Sequence, residues 1–323
     1  MVHRPAWFRD GYVFVSYAPT VGINKDGEEL YVVDPLTGMR TGVIDDRVLE
    51  DVQRLLEDAN ATTKTSRWVQ RDALEDRLIA VPAYFDDRSF TNFDEFMAEP
   101  EFESFVSVTL GELIDSHRVV ARPGHGSPSA DLRTGAVPYI KVSDLRAGQV
   151  NINPTNRVTE VVAQRFWHGE NSGLTAYSIL TPIRTSKNIG DFAVLMPGQE
   201  RLVLTKEILV LQAGSKTNFD NFYLLWAMSL RVVRRQWDRI VFMQTNREDV
   251  GTRYRQIRIP IAPSREKADE VSKPFRDYYL GMQDLRERFL GHLSESDRFH
   301  IFLSSQEAVE EEIEDEVEDF EGD

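Results

Sequence analysis

The sequence contains no cysteine. That excludes a disulfide framework, a thiolate zinc centre and a cysteine nucleophile, and it suits a reducing compartment. It also lacks any run near the roughly 18 uncharged apolar residues from which a membrane-spanning helix is built. Residues 1–10 carry Arg4, Arg9 and Asp10 without an apolar stretch, so no export signal is expected. The expected location is the cytoplasm, away from membranes. Familiar catalytic motifs are missing too. There is no phosphate-binding Walker loop and no His-Glu-x-x-His, and Gly124-His125-Gly126 supplies only the first two glycines of Gly-x-Gly-x-x-Gly. An amino-methyltransferase holds its target amine with an Asn/Asp-Pro-Pro-aromatic loop. The nearest approach, Asn153-Pro154-Thr155, lacks the second proline and the aromatic and reads as a plain Asn-Pro turn. The six histidines are scattered, and His117 and His125 fall in a loop where a lone imidazole is usually surface. An enzyme is therefore not expected, and neither a cofactor nor a metal is expected on this chain.

What is present is a 323-residue chain with 41% hydrophobic residues, enough for two or three cores. The net charge of −15 argues at first against nucleic acid. Its distribution does not. Residues 1–105 hold 11 Lys/Arg against 21 Asp/Glu, residues 106–263 hold 20 against 13, and residues 264–323 hold 7 against 19. A basic middle lies between acidic flanks, which is a domain-level pattern that the average conceals.

Along the chain, residues 12–17 are rich in β-branched and aromatic residues and predict a strand. Asn24-Lys25-Asp26-Gly27 predicts a turn, and residues 30–33 the return strand. A second turn follows at Asp34-Pro35-Leu36-Thr37-Gly38. Val48, Leu49, Val52, Leu55 and Leu56 recur at helical spacing within a predicted helix over 45–59. Residues 61–104 read as a connector, with a helix over 71–79 and an acidic, aromatic stretch over 90–105. Strands are expected at 137–142, 178–183, 192–196, 202–211 and 255–260, and a Gly/Pro/Ser loop at 122–130. Phe222, Leu225, Trp226, Ser229, Val232 and Val233 share a face of a helix predicted over 219–241, whose arginines Arg231, Arg234, Arg235 and Arg239 also follow helical spacing. A polar helix over 262–293 carries an amphipathic seam of Val271, Phe275, Tyr278, Tyr279, Met282, Leu285, Phe289 and Leu293, suited to packing on a helix. The Asp/Glu-rich residues 307–323 self-repel and bury little, so disorder is expected there.

Five stretches in order resemble the target-recognition domain of type I restriction–modification specificity subunits. Val106-Ser107-Val108-Thr109-Leu110-Gly111-Glu112-Leu113 is similar to the opening strand and turn. Gly124-His125-Gly126-Ser127-Pro128-Ser129 resembles the loop that follows, and Gly135-Ala136-Val137-Pro138-Tyr139-Ile140-Lys141-Val142-Ser143-Asp144-Leu145 the most recognisable strand. Leu180-Thr181-Pro182-Ile183-Arg184-Thr185-Ser186-Lys187-Asn188-Ile189-Gly190 sits where the family has a turn, a strand and a glycine-containing loop, but Leu-Thr-Pro replaces the usual Pro-Gly-Asp lead. Residues 246–254 and 259–263 resemble the closing loop and final strand. A second resemblance lies in Tyr17-Ala18-Pro19-Thr20-Val21-Gly22-Ile23-Asn24-Lys25-Asp26-Gly27, followed by Asp45-Asp46 and a helix. It looks like the C-terminal tail of N6-adenine methyltransferase subunits of the same systems, without the catalytic core that precedes it there.

These resemblances imply an α+β fold. They divide the chain into a methyltransferase-tail-like docking segment (1–60), the connector (61–104), one mixed target-recognition domain (105–263), a helical spacer and dimerisation segment (264–303) and the acidic tail (304–323). Family members usually carry two recognition domains separated by helices that pair, so one domain implies a half subunit that dimerises through 264–303. The partners implied are double-stranded DNA, an N6-adenine methyltransferase subunit that binds S-adenosylmethionine itself, and a restriction or translocase subunit. The residues themselves support DNA contact: arginine and lysine suit phosphates and guanine edges, and asparagine suits adenine. The candidates are Arg184, Ser186, Lys187 and Asn188 in one polar loop, Lys141 and Ser143 beside a strand, and Arg247, Thr252, Arg253, Tyr254 and Arg255 around Gly251. Three readings stand: a sequence-reading subunit in a restriction–modification or related phage-defence system, a fragment of a split methyltransferase that contributes to catalysis, and an adaptor whose recognition fold does not read DNA.

Overall fold

The computed structural model describes residues 5, 8–24, 26–74, 81–184, 187–244 and 247–296. The acidic tail and Ser186 lie outside the described residues. By its internal contacts the chain divides into a first unit, Met1–Asp94 with Asp238–Ile240, and a second, Glu95–Trp237 with Val241–Asp323.

The first unit is built on short antiparallel pairs and a helix. Strand β1 (Tyr12–Ser16) does not pair with residues 30–33 as its neighbourhood in sequence suggested. Strand β2 (Tyr31–Val33) pairs instead with β3 (Arg40–Ile44), because the turn begun at Asp34 folds the chain straight back. Helix α1 (Arg47–Glu57) starts at Asp46, whose carboxylate accepts the Leu49 N–H at 2.9 Å. Strand β1 pairs with β4 (Ser66–Gln70), a strand inside the segment read as a connector. Helix α2 (Arg88–Met97) follows. Of the helix expected over 71–79, Arg71–Leu74 forms a 3-10 turn and residues 75–80 lie outside the described residues.

The second unit opens with β5 (Val106–Thr109) and α3 (Leu110–Asp115), where a Thr109/Glu112 capping box turns strand into helix. Then come β6 (Val119–Pro123), β7 (Val137–Ile140), β8 (Leu145–Arg146), β9 (Gly148–Val150), β10 (Arg157–Val158) and α4 (Glu160–Trp167). Strand β6 occupies the start of the expected Gly/Pro/Ser loop. Strands β11 (Ile179–Pro182), β12 (Ala193–Val194), β13 (Val203–Leu204) and β14 (Ile208–Ala213) follow. Six of them form one sheet in the order β6-β14-β11-β12-β9-β8; β10, β7 and β13 form a smaller one. Residues 208–211 of β14 are buried without alternation, as a strand covered on both faces requires. Leu180, Leu195, Leu202, Leu204, Ile208 and Val210 make the core of this unit.

The helix expected over 219–241 is two helices, α5 (Asn221–Ser229) and α6 (Arg231–Ile240). They are broken at Leu230, whose extended ψ of 133° ends one and starts the other. Helix α5 is apolar nearly all round. Its Tyr223 hydroxyl donates to the Pro260 carbonyl at 2.9 Å and accepts the Ala262 N–H at 2.7 Å. The hairpin β15 (Phe242–Gln244) and β16 (Arg247–Asp249) leads to β17 (Arg258–Ile261), which pairs antiparallel with β5. Helix α7 (Arg265–Ser296) packs on α5 through Ala268, Ser272 and Tyr279, while Tyr278, Leu285 and Phe289 face solvent. The architecture is thus α+β with a long final helix. Among the described residues no helix is long and apolar enough to cross a membrane.

Candidate nucleic-acid interface

The second unit brings two of the candidate loops together. The chain leaves β11 at Pro182, and the Ile183 carbonyl accepts the Val250 N–H at 3.0 Å. Arg184 then bridges to Asp249, its Nε 3.2 Å from the carboxylate. Beyond the undescribed pair 185–186, Lys187–Gly190 make a turn, closed by the Asp191 N–H on the Asn188 carbonyl at 3.0 Å, in which Ile189 and Gly190 are buried. Lys187 and Asn188 are both open to solvent. Gly190 sits at φ +82°, and a Cβ there would meet the Trp237 ring at 2.7 Å, so the turn is held close against α6.

The facing loop is equally anchored. Arg253 donates to the Asp249 carbonyl at 2.6 Å and lies 3.6 Å from the centre of the Phe242 ring. Thr252 is exposed at the start of the 3-10 turn Arg253–Gln256. Tyr254 is half-buried, which pushes its phenol up from the ordinary range. Arg255 turns away, to the Asp115 carboxylate of α3 at 2.7 Å. The backbone of Arg247 lies in β16; its side chain is outside the described residues. The guanidiniums of Arg184, Arg253 and Arg255 are therefore already engaged within the unit.

Lys141 and Ser143 do not join that pair of loops directly. Lys141 donates to the Asn156 side chain at 2.7 Å, and Ser143 is exposed in the turn that follows β7. The same turn reaches Arg146, whose Nε donates to the Ser143 carbonyl at 2.8 Å. Arg146 lines a cavity of about 470 Å³ together with Asn188, Asp191, Phe192, Arg234 and Tyr279. Sequence reasoning passed over Arg146 and Asp191. The signal available was that Arg146 directly follows the Lys141–Leu145 motif. Within the arginine row, Arg231 and Arg235 are exposed and Arg234 pairs with Asp191 at 3.3 Å. Arg239 belongs to the first unit, its guanidinium over the rings of Tyr84 and Phe90.

His125 is not a surface histidine. Its Nδ1 accepts the Leu204 N–H at 2.9 Å and its Nε2 donates to the Ser172 carbonyl at 2.8 Å. Burial, aided by the charge of Arg122, holds the imidazole below its usual pKa despite the Ser172 carbonyl. It pins the glycine loop to β13. Asn153-Pro154-Thr155 is a turn, as read, with the Thr155 N–H on the Asn153 side chain at 2.9 Å. Among the described residues no group of His, Asp or Glu is arranged to hold a metal ion.

No family model matches the sequence, and no curated protein does. Among solved structures the chain is similar to a type I restriction–modification S subunit from M. genitalium, at 13% identity and a TM-score of 0.37, over 59% of this chain and 42% of that one. It is similar to a chain from a study of complex assembly and conformational transition of the type I R-M system, at 14% identity and 0.37, over 77% and 55%. It is also similar to an HsdS subunit from Thermoanaerobacter tengcongensis, at 13% identity and 0.33, over 81% and 61%. This chain spans between 42% and 61% of the length of those structures, and the neighbours found in this way are type I restriction–modification specificity subunits and their assemblies.

Proposed function

We propose that the chain is a non-catalytic, sequence-reading subunit that binds double-stranded DNA through its second unit. It directs a separate N6-adenine methyltransferase, which carries S-adenosylmethionine, and a restriction subunit where one is present, in cytoplasmic phage defence. The observation that carries this reading is the juxtaposition of the Arg184–Asn188 loop with the Asp249–Arg255 loop. Two polar, arginine-bearing segments distant in sequence meet beside the end of β11, in the basic middle segment of the chain. Loops held by a scaffold are where base edges are read, and arginines beside them suit phosphates. Lys187 and Asn188 are assigned to base edges, with Arg184, Thr252, Arg253 and Tyr254 beside them. Lys141, Ser143 and Arg255 border the interface, joined by Ser186 and Arg247, which sequence alone assigns. The bare Tyr278, Leu285 and Phe289 of α7 support dimerisation of two half subunits through that helix.

A second reading has its own support. The internal pairing of Arg184 and Arg255 with carboxylates is what an adaptor with no nucleic-acid ligand would also show. Binding to duplex DNA at two salt concentrations separates them. A reader loses affinity steeply, with a log–log slope of about −0.9 for each phosphate contacted. Absent or salt-independent binding favours the adaptor.

A further inference from the structure

The first unit keeps a large apolar surface open, and its internal chemistry holds that surface outward. Most of the large apolar side chains that are exposed among the described residues lie before Glu57. Leu36 is 93% exposed at the tip of the β2–β3 turn, where its N–H is held by the Asp34 side chain at 2.7 Å; Val33 and Met39 are bare near the turn, and Val43 and Ile44 further along β3. Strand β3 runs through Asp45 and Asp46 into α1. There Leu49, Val52 and Leu56, at spacings of three and four, form a second bare stripe.

Helix α1 does not turn that stripe inward, because the adjoining face of the helix is anchored. Asp51 is 2% exposed and accepts the hydroxyls of Ser16 at 2.6 Å, Thr63 at 2.6 Å and Thr65 at 3.1 Å, and Leu55 is buried next to it. A rotation that covered Leu49 and Leu56 would break the hydrogen bonds of Asp51 to Ser16, Thr63 and Thr65 and expose Leu55, which offsets the gain from burying the two leucines. Apolar surface on this scale marks a docking site. Its border is acidic. Residues 20–58 hold ten Asp/Glu against four Lys/Arg, and Glu50 and Glu57 lie seven residues apart along one edge of the stripe.

We infer that the β2–β3 hairpin and the Leu49–Leu56 stripe form a docking surface for a protein partner whose own contact face is an apolar ridge bordered by lysine and arginine. A second copy of this chain would place acidic border against acidic border, which like-charge repulsion opposes. This deepens the partner-directing half of the proposed function and is independent of its DNA-binding half.

The test uses the full chain and two labelled helical peptides, each with a leucine ridge, one bordered by lysines and the other by glutamates. The triple variant Leu36→Ser, Leu49→Ser, Leu56→Ser changes only exposed side chains. The lysine-bordered peptide is expected to bind the native chain, more weakly as salt rises, and to lose at least tenfold in affinity for the triple variant. The glutamate-bordered peptide is expected not to bind. Equal affinity of the lysine peptide for both chains overturns the inference, as does a dimer of the chain alone that the triple variant dissolves. DNA binding by the same two samples is expected to be equal. Loss of DNA binding by both would count against the DNA reading and leave the docking surface standing.

Discussion

Removing one carboxylate at the proposed interface should strengthen DNA binding. Asp249 is the hinge of the two loops: it pairs with Arg184 and accepts the Gly251 N–H. Asp249→Asn keeps the shape and the acceptor for Gly251 and removes a negative charge. A phosphate about 7 Å away would be relieved of a repulsion of about 0.6 kcal/mol at the dielectric of water, or about 2.4 kcal/mol at an effective value near 20. That corresponds to binding tighter by about threefold to fiftyfold, with the lower figure nearer the truth as salt screens the site. The salt slope should steepen by up to about 0.9. The cost in stability is modest, because the Arg184 side chain is 37% exposed against 18% for Asp249, and the asparagine keeps the acceptor for Gly251. Fluorescence anisotropy on a duplex of mixed sequence at about 50 and about 200 mM salt measures both quantities. An affinity unchanged or weakened, with Tm retained, would refute the placement of Asp249 beside DNA.

Acid should weaken the second unit through His125. Its folded pKa lies below the unfolded value near 6.5, so the unfolded chain takes up the proton first. Stability should fall as pH drops below about 6.5 and level off beneath the folded pKa, and thermal melts of the native chain against His125→Gln isolate that component. Tyr223→Phe leaves the Pro260 carbonyl and the Ala262 N–H without their buried partner, so a loss of about 2–3 kcal/mol is expected in denaturant melts. A loss under about 0.5 kcal/mol would show that solvent replaces the hydroxyl.

Local pattern was legible where one element decides its own geometry. Helix α1 follows from the Asp46 cap and the apolar recurrence of 48–56, and α7 from a seam of threes and fours. Pairing between distant segments was not. Strand β4 reads Ser-Arg-Trp-Val-Gln, with nothing to name β1 as its partner across fifty residues. The break at Leu230 carries neither glycine nor proline, and α4, capped by Thr159, is only eight residues long. The candidate loops could be named from their composition. That Asp249 and Asp115 would occupy Arg184 and Arg255 could not, because those contacts depend on tertiary neighbours.

In the proposed function the second unit chooses the DNA sequence while chemistry resides in a partner. Sequencing that maps N6-methyladenine across the genome of cells carrying the chain with its native partner genes tests it most directly. Each good side-chain contact to a base edge is worth roughly 1–3 kcal/mol of discrimination. Asn188→Ala and Lys187→Ala should therefore each relax the methylated motif at one position while methylation continues. An identical motif in both variants and in Arg184→Ala would contradict the claim.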